Sequence, residues 1–126
     1  LINNNFNFEI KTFFNNFEHI LNKTNITLCR SGAGTINDLI NYKIPAIILP
    51  LSSSKDNHQF ENAKILSEIG CAILVDKDSK ELDKVLLFIR NVIDDKSFNN
   101  SLLDKYSKIK RHNTNLLMWE HINDDQ

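Results

Sequence analysis

Glycine, proline and cysteine are all scarce in this chain, with three, two and two copies in 126 residues. So little glycine and proline excludes collagen-like and low-complexity classes. The two cysteines, Cys29 and Cys71, form no CxxC pair, which argues against a disulfide framework or a zinc set. Each sits beside an expected strand and reads as a reduced core thiol. Charge of one sign is also lacking, because the formal net charge is −1. Such a balance gives no electrostatic argument for nucleic acid. Long apolar runs are missing too. The longest strongly apolar run, Ile44 to Leu51, contains Pro45 and Pro50 and is too short to cross a bilayer. No signal-peptide pattern is visible, and the opening "LINNNFNFEI" reads like the interior of a longer chain, so a fragment or excised domain is expected.

What is present is an ordinary globular composition, 41% apolar and 25% charged, long enough for one domain with a core. Phe8 and Ile10 suggest a short strand at 8–10. Ile10, Phe13, Phe14, Phe17, Ile20 and Leu21 then recur at helical spacing, which predicts a helix over 12–22. "NITLC" (25–29), "AIILP" (46–50) and "AILV" (72–75) read as strands, the second apolar throughout as a buried parallel strand should be. Helices are expected after the first glycines (Ile36, Leu39 and Ile40), over 57–69 with Gly70 as its cap, and over 79–94. A final helical pair is expected at 98–110 and 114–122. Strand and helix alternate, which predicts an α/β fold: a Rossmann-like parallel sheet with helices on both faces. In such sheets ligands bind outside the carboxyl ends of the strands, where the loops after 25–29 and 46–50 would lie.

Two of the three glycines fall in the first of those loops, "SGAGT" (31–35). Glycine there allows positive φ or close approach to a ligand, and amides at a helix start attract anions, phosphate above all. Ser31 and Thr35 add hydroxyls. The loop is neither a Walker motif nor GxGxxG, and a plain strand-to-helix turn with Thr35 near the N-cap is an equal reading. Asp38, three residues after Thr35, is either a capping-box or dipole partner in the first turn, or a carboxylate that accepts from a sugar diol. In the second loop, "KDNHQFENA" (55–63), Asp56 or Asn57 can cap a helix whose first turn carries His58 and Gln59. Asn62 is one turn from His58 and faces the same way.

Taken together, "CRSGAGTINDL", "KIPAIILPL", "DNHQFENA" and "EIGCAILV" resemble the C-terminal domain of the MurG family, bacterial UDP-N-acetylglucosamine transferases of peptidoglycan synthesis. The likeness covers roughly residues 8–90. It implies two Rossmann-like domains in the GT-B arrangement with the active site between them, and places this chain in the donor-binding C-terminal domain. On that resemblance the amides of Ser31, Gly32, Ala33, Gly34 and Thr35 lie against the diphosphate. Asp38 takes the ribose, where the family usually has the longer Glu. His58, Gln59 and Asn62 contact the sugar, and the backbone around Phe14 edges the uracil. Arg30 is a candidate for the leaving diphosphate, with a structural ion pair as the equal alternative.

The resemblance implies no metal and no cofactor. It places the general base and the surface for the lipid-linked muramoyl-pentapeptide acceptor in an N-terminal domain outside this chain, so no catalytic residue is expected here. It divides the chain into a partial UDP-sugar-binding domain (1–110) and a C-terminal helix (111–126) returning to the other domain. It also implies peripheral contact with the cytoplasmic face of the bacterial inner membrane. Lys105, Lys108, Lys110 and Arg111 form a basic run read as a solvated helix face, or else as weakly attracted to anionic headgroups. Two other functions stay open: a small donor-binding subunit of a two-component transferase, and a non-catalytic nucleotide-sugar binding module.

Overall fold

The computed structural model describes residues 5–50, 57–75, 80–111 and 117–119, with side chains described at all but 57–59, 111 and 117–119. The elements in order are α1 (Phe17–Lys23), β1 (Thr27–Cys29), α2 (Ala33–Tyr42), β2 (Ala46–Ile48), α3 (Asn57–Glu68), β3 (Ala72–Leu74), α4 (Leu82–Asp94), α5 (Lys96–Ser107), β4 (Ile109–Arg111) and β5 (Leu117–Trp119).

β1, β2 and β3 form a parallel sheet in that order, with Thr27, Ala46 and Ala72 in register. Successive strand side chains point to opposite faces. All three residues of the central strand are nonetheless buried, so both faces of β2 are covered. This is why "AII" reads as a continuous apolar run rather than an alternation. α2 and α3 pack against each other, and α1 packs on α2. From α5, Tyr106 donates its hydroxyl to the carbonyl of Ile44 at 2.6 Å, just before β2. Cys71, just before β3, donates through Sγ to the carbonyl of Leu102, also on α5. Ile36, Leu39, Ile44, Ile48, Leu66, Leu102 and Cys71 are the largest fully buried side chains.

Helix ends follow local chemistry. Asp95 caps α5 by accepting from the amide of Phe98 at 3.0 Å, while Phe98 meets Phe88 of α4 edge-to-face at 5.8 Å. α2 ends on Lys43 in the left-handed region (φ 54°), an uncommon choice for a residue with a Cβ. Gly70, at φ +84°, follows α3 where glycine is required twice over. The conformation disfavours a side chain, and a Cβ would lie 3.1 Å from Nζ of Lys105.

Four expectations from sequence give way, one of them the helix over 98–110, which stops at Ser107 because Ile109–Arg111 pair as β4. No strand forms at 8–10: the backbone there pairs with no strand among the described residues, and Phe8 and Ile10 are over 80% exposed. A strand needs a neighbour to take its amide and carbonyl groups, and periodicity cannot supply one. The first helix starts at Phe17 rather than 12, because Asn15 and Asn16 form a turn before it. The expected helix over 114–122 is a strand at 117–119, antiparallel to β4, with Ile109 opposite Trp119. Pairing with a β-branched "IKR" segment and packing of β5 along α3 outweigh a short helical pattern whose own hydrogen bonds would be marginal. Residues 112–116 and 120–126, including Leu116 and Ile122, lie outside the described residues.

Candidate functional site

The candidate site lies at the carboxyl edge of the sheet. β1 ends at Cys29, Arg30 and Ser31 turn the chain, and α2 begins at Ala33 with Gly32 as N-cap. The first intrahelical hydrogen bond runs from the amide of Ile36 to the carbonyl of Gly32 at 3.0 Å. The amides of Ala33, Gly34 and Thr35 precede it and have no intrahelical acceptor. Ser31 is buried, while Ala33 and Gly34 are exposed. The turn therefore presents backbone, not side chains, to the solvent at the sheet edge.

The glycines are not there for backbone strain. Gly32 has φ −62°, and Gly70 has the one positive glycine φ among the described residues. Nor does internal packing require them. Among the described residues a Cβ at Gly34 would meet nothing within 4 Å, and one at Gly32 would sit 3.8 Å from Oγ1 of Thr35. Gly34 lies inside a helix, where it is less favourable than alanine by roughly 0.5–1 kcal/mol. The described chain gives no internal reason for that cost. Open space beside exposed amides does supply one, since a bare backbone lets an anion approach closely.

Thr35 is the third helical residue and makes no cap hydrogen bond, contrary to its expected place at the N-cap. Asp38 is the sixth helical residue, not a first-turn capping partner, and no acidic residue lies in that turn. α2 starts earlier than its apolar periodicity suggested because Ala33 and Gly34 are already helical. The shift places Asp38 one turn beyond Gly34 on the same face. Helical side chains lean toward the N-terminus, so the half-buried Asp38 carboxylate leans toward the space beside Gly34. Arg30 is exposed and makes no ion pair among the described residues.

From the second loop, the backbone of His58 and Gln59 lies in the first turn of α3, and their side chains lie outside the described residues. Residues 51–56, with Asp56, lie outside them as well. Asn62 is buried on α3 and engaged in an interaction. The basic run does not form one uniform solvated face: Lys108 pairs with Asp104 at 2.6 Å, and Lys105 is half-buried beside Gly70. Cys29, next to the turn, has its thiol pushed up by burial. Among the described residues no group of three or more His, Cys, Asp or Glu side chains could hold a metal ion, and no helix is long and apolar enough to cross a membrane.

The described residues also form two cavities away from this turn. Thr24, Asn25, Tyr42, Lys43 and Pro45 line one cavity, which gathers the end of α1, the end of α2 and the approaches to β1 and β2 at the amino edge. A second cavity, of about 320 Å³, lies before α1 and is lined by Phe13 and Phe14, by Glu9 and Lys11, and by Asn15, Asn16 and His19. Phe14 was singled out in the sequence; Lys11, Asn15, Asn16 and His19 were not. The sequence signal for them was the spacing of Lys11 and Phe14, masked by reading 12–22 as one continuous helix.

Residues 2–116 match the family model described as the glycosyltransferase family 28 C-terminal domain. A UDP-N-acetylglucosamine–N-acetylmuramyl-(pentapeptide) pyrophosphoryl-undecaprenol N-acetylglucosamine transferase of Prochlorococcus marinus (strain MIT 9515) is 47% identical over 72 residues, 57% of this chain and 20% of that protein. One of the same name from Rickettsia bellii is 35% identical over 106 residues, 84% of this chain and 29% of that protein. The chain thus spans between a fifth and a third of the length of these relatives. The crystal structure of Acinetobacter baumannii MurG matches 76% of this chain and 28% of its own with a TM-score of 0.62 at 21% identity, which shows a common fold.

Proposed function

Because the chain belongs to the glycosyltransferase family 28 C-terminal domain family, we propose that it forms part of the donor site of an inverting transferase. That enzyme would move N-acetylglucosamine from UDP-N-acetylglucosamine to a lipid-linked muramoyl-pentapeptide. The observation that carries the reading is Gly34: a helical glycine with no described residue beside it, in a turn whose exposed amides have no partner within α2.

In this reading the diphosphate rests against the amides of Ala33, Gly34 and Thr35, and the ribose hydroxyls donate to the Asp38 carboxylate. His58, Gln59 and Asn62 face the sugar from α3. The acceptor hydroxyl attacks the anomeric carbon from the side opposite the diphosphate. The C–O bond to UDP breaks, and the charge that develops on the leaving diphosphate is met by amides already in place. Arg30, exposed at the end of β1, adds a cation to the same edge. The general base that takes the acceptor proton comes from outside this chain, which alone is inactive. Peripheral contact with the cytoplasmic face of the membrane, where a lipid-linked acceptor resides, belongs to the same proposal.

Asp38→Ala tests the reading. In the active transferase it should raise the KM for UDP-N-acetylglucosamine roughly tenfold, the scale of a lost hydrogen bond to a charged group, with a much smaller change in kcat. An unchanged donor KM rejects the ribose assignment.

A further inference from the structure

α4 carries two apolar faces, and the fold uses one of them. Phe88 and Val92 are buried in the core, and Val85 and Ile89 pack against it. Leu82, Leu86 and Ile93 stand apart, 67%, 54% and 68% exposed. With the half-buried Ile89 they recur at steps of four, three and four residues. Such steps draw one line along a helix, the a and d seam of a coiled coil. The line runs the length of Leu82–Asp94, about 20 Å. A contiguous apolar line marks an interaction surface, whereas a single exposed leucine does not. Asp83 and Arg90 border it on the flank away from Val85 and Val92, one heptad apart. Both are exposed, and neither makes an ion pair among the described residues.

We propose that this seam is a self-association surface, on which α4 of a second copy lies antiparallel across a two-fold axis. A two-fold contact is isologous, so its surface must be complementary to itself. Antiparallel packing about a point between Leu86 and Ile89 meets that demand twice. Leu82 falls opposite Ile93 of the second copy and Leu86 opposite Ile89, so the seam closes on itself. The same rotation brings the Asp83 and Arg90 flanks of both helices to one side, where each carboxylate comes within reach of the other copy's guanidinium. A parallel pair loses this, because it sets each charged flank against Val85 and Val92. The charges select the orientation, while exposed pairs add little affinity. Stable complexes bury roughly 800 Å² per partner, more than four side chains on one helix supply. The pairing is therefore weak and depends on concentration. It is independent of the donor-site reading, since α4 carries none of the residues placed there.

Sedimentation velocity of the intact protein over a rising concentration series tests this, and monomers should give way to dimers. Leu86→Gln changes an exposed position, so the melt of the dilute monomer should stay where it is. The dimer should weaken roughly tenfold or more, because each copy loses a leucine from the contact. Asp83→Arg and Arg90→Asp should each weaken it roughly fivefold, the scale of two exposed ion pairs. The double exchange should recover it, which requires the two residues to face each other between copies. A protein that stays monomeric at every concentration would overturn the proposal, as would dimers indifferent to Leu86→Gln. Dimers that respond to Leu86→Gln but not to the charge exchange would overturn the antiparallel arrangement. Cover by another part of the same protein has its own signature: no dimer forms, and Leu86→Gln lowers the melting temperature of the monomer.

Discussion

Gly34 separates what the fold needs from what a ligand needs. Most glycines are explained by φ or by a close neighbour, as Gly70 is, with φ +84° and Lys105 3.1 Å from where its Cβ would be. Gly34 has neither explanation. Gly34→Ala should therefore stabilise α2, by about 0.5 kcal/mol, while weakening UDP binding several-fold. Thermal melts and nucleotide inhibition measured on the same variant read the two effects separately. A variant that is both more stable and equally good at binding UDP would remove the reason for a glycine there. The glycine pair was conspicuous in the sequence because the chain has so few. Which face it opened, and that positive φ played no part, could be read only from the backbone. The place of Lys11 was not legible at all, since Glu9 and Phe14 meet it in a stretch that the sequence divides between a strand at 8–10 and a helix over 12–22.

At the scale of elements, the strands and the helices between them follow the sequence closely, because burial on both faces of a parallel sheet leaves a continuous apolar signature. Ends are set by chemistry that the pattern does not carry. α2 closes on Lys43 at φ 54°, ψ 50°, with its amide donating to the carbonyl of Leu39. A side chain in that region carries a steric cost that glycine escapes. Lys43→Gly should accordingly stabilise the chain by about 0.5–1 kcal/mol despite losing the exposed contact of Nζ with Ser107. Urea unfolding midpoints test this, and a destabilised variant would show that the Ser107 contact outweighs the backbone term. The reading of 114–122 as a helix failed for a related reason. A segment of ambiguous period takes the state its neighbours offer, and β4 at Ile109–Arg111 offers Leu117–Trp119 a strand partner.

The whole molecule buries two thiols and a phenol in and around its sheet, and this gives it a pH dependence. Burial pushes the Cys71 thiol up to about 12, with the Lys105 ammonium opposing the shift, and it pushes Cys29 and Tyr106 up as well. Each group stays neutral in the folded chain and ionises more readily once unfolded. Folded pKa values above the unfolded ones mean that this stability is complete below about pH 9 and is lost as pH rises toward 12. Melting temperature should hold from pH 7 to 8.5 and then fall steadily through pH 11, and Cys71→Ala should flatten the first part of that fall. A curve level to pH 11 would contradict the burial account. The apolar runs and their alternation with helical stretches determined the parallel sheet, the identity of its core and the edge at which a ligand could bind. They could do so because burial is written directly into residue type. The tertiary structure decided where α2 begins, which loop faces Phe14 and what the chain does after Ser107. Those outcomes depend on which backbone groups and charges come within hydrogen-bonding reach of one another, and residues as distant as Lys105 and Gly70, or Tyr106 and Ile44, meet only once the chain has folded.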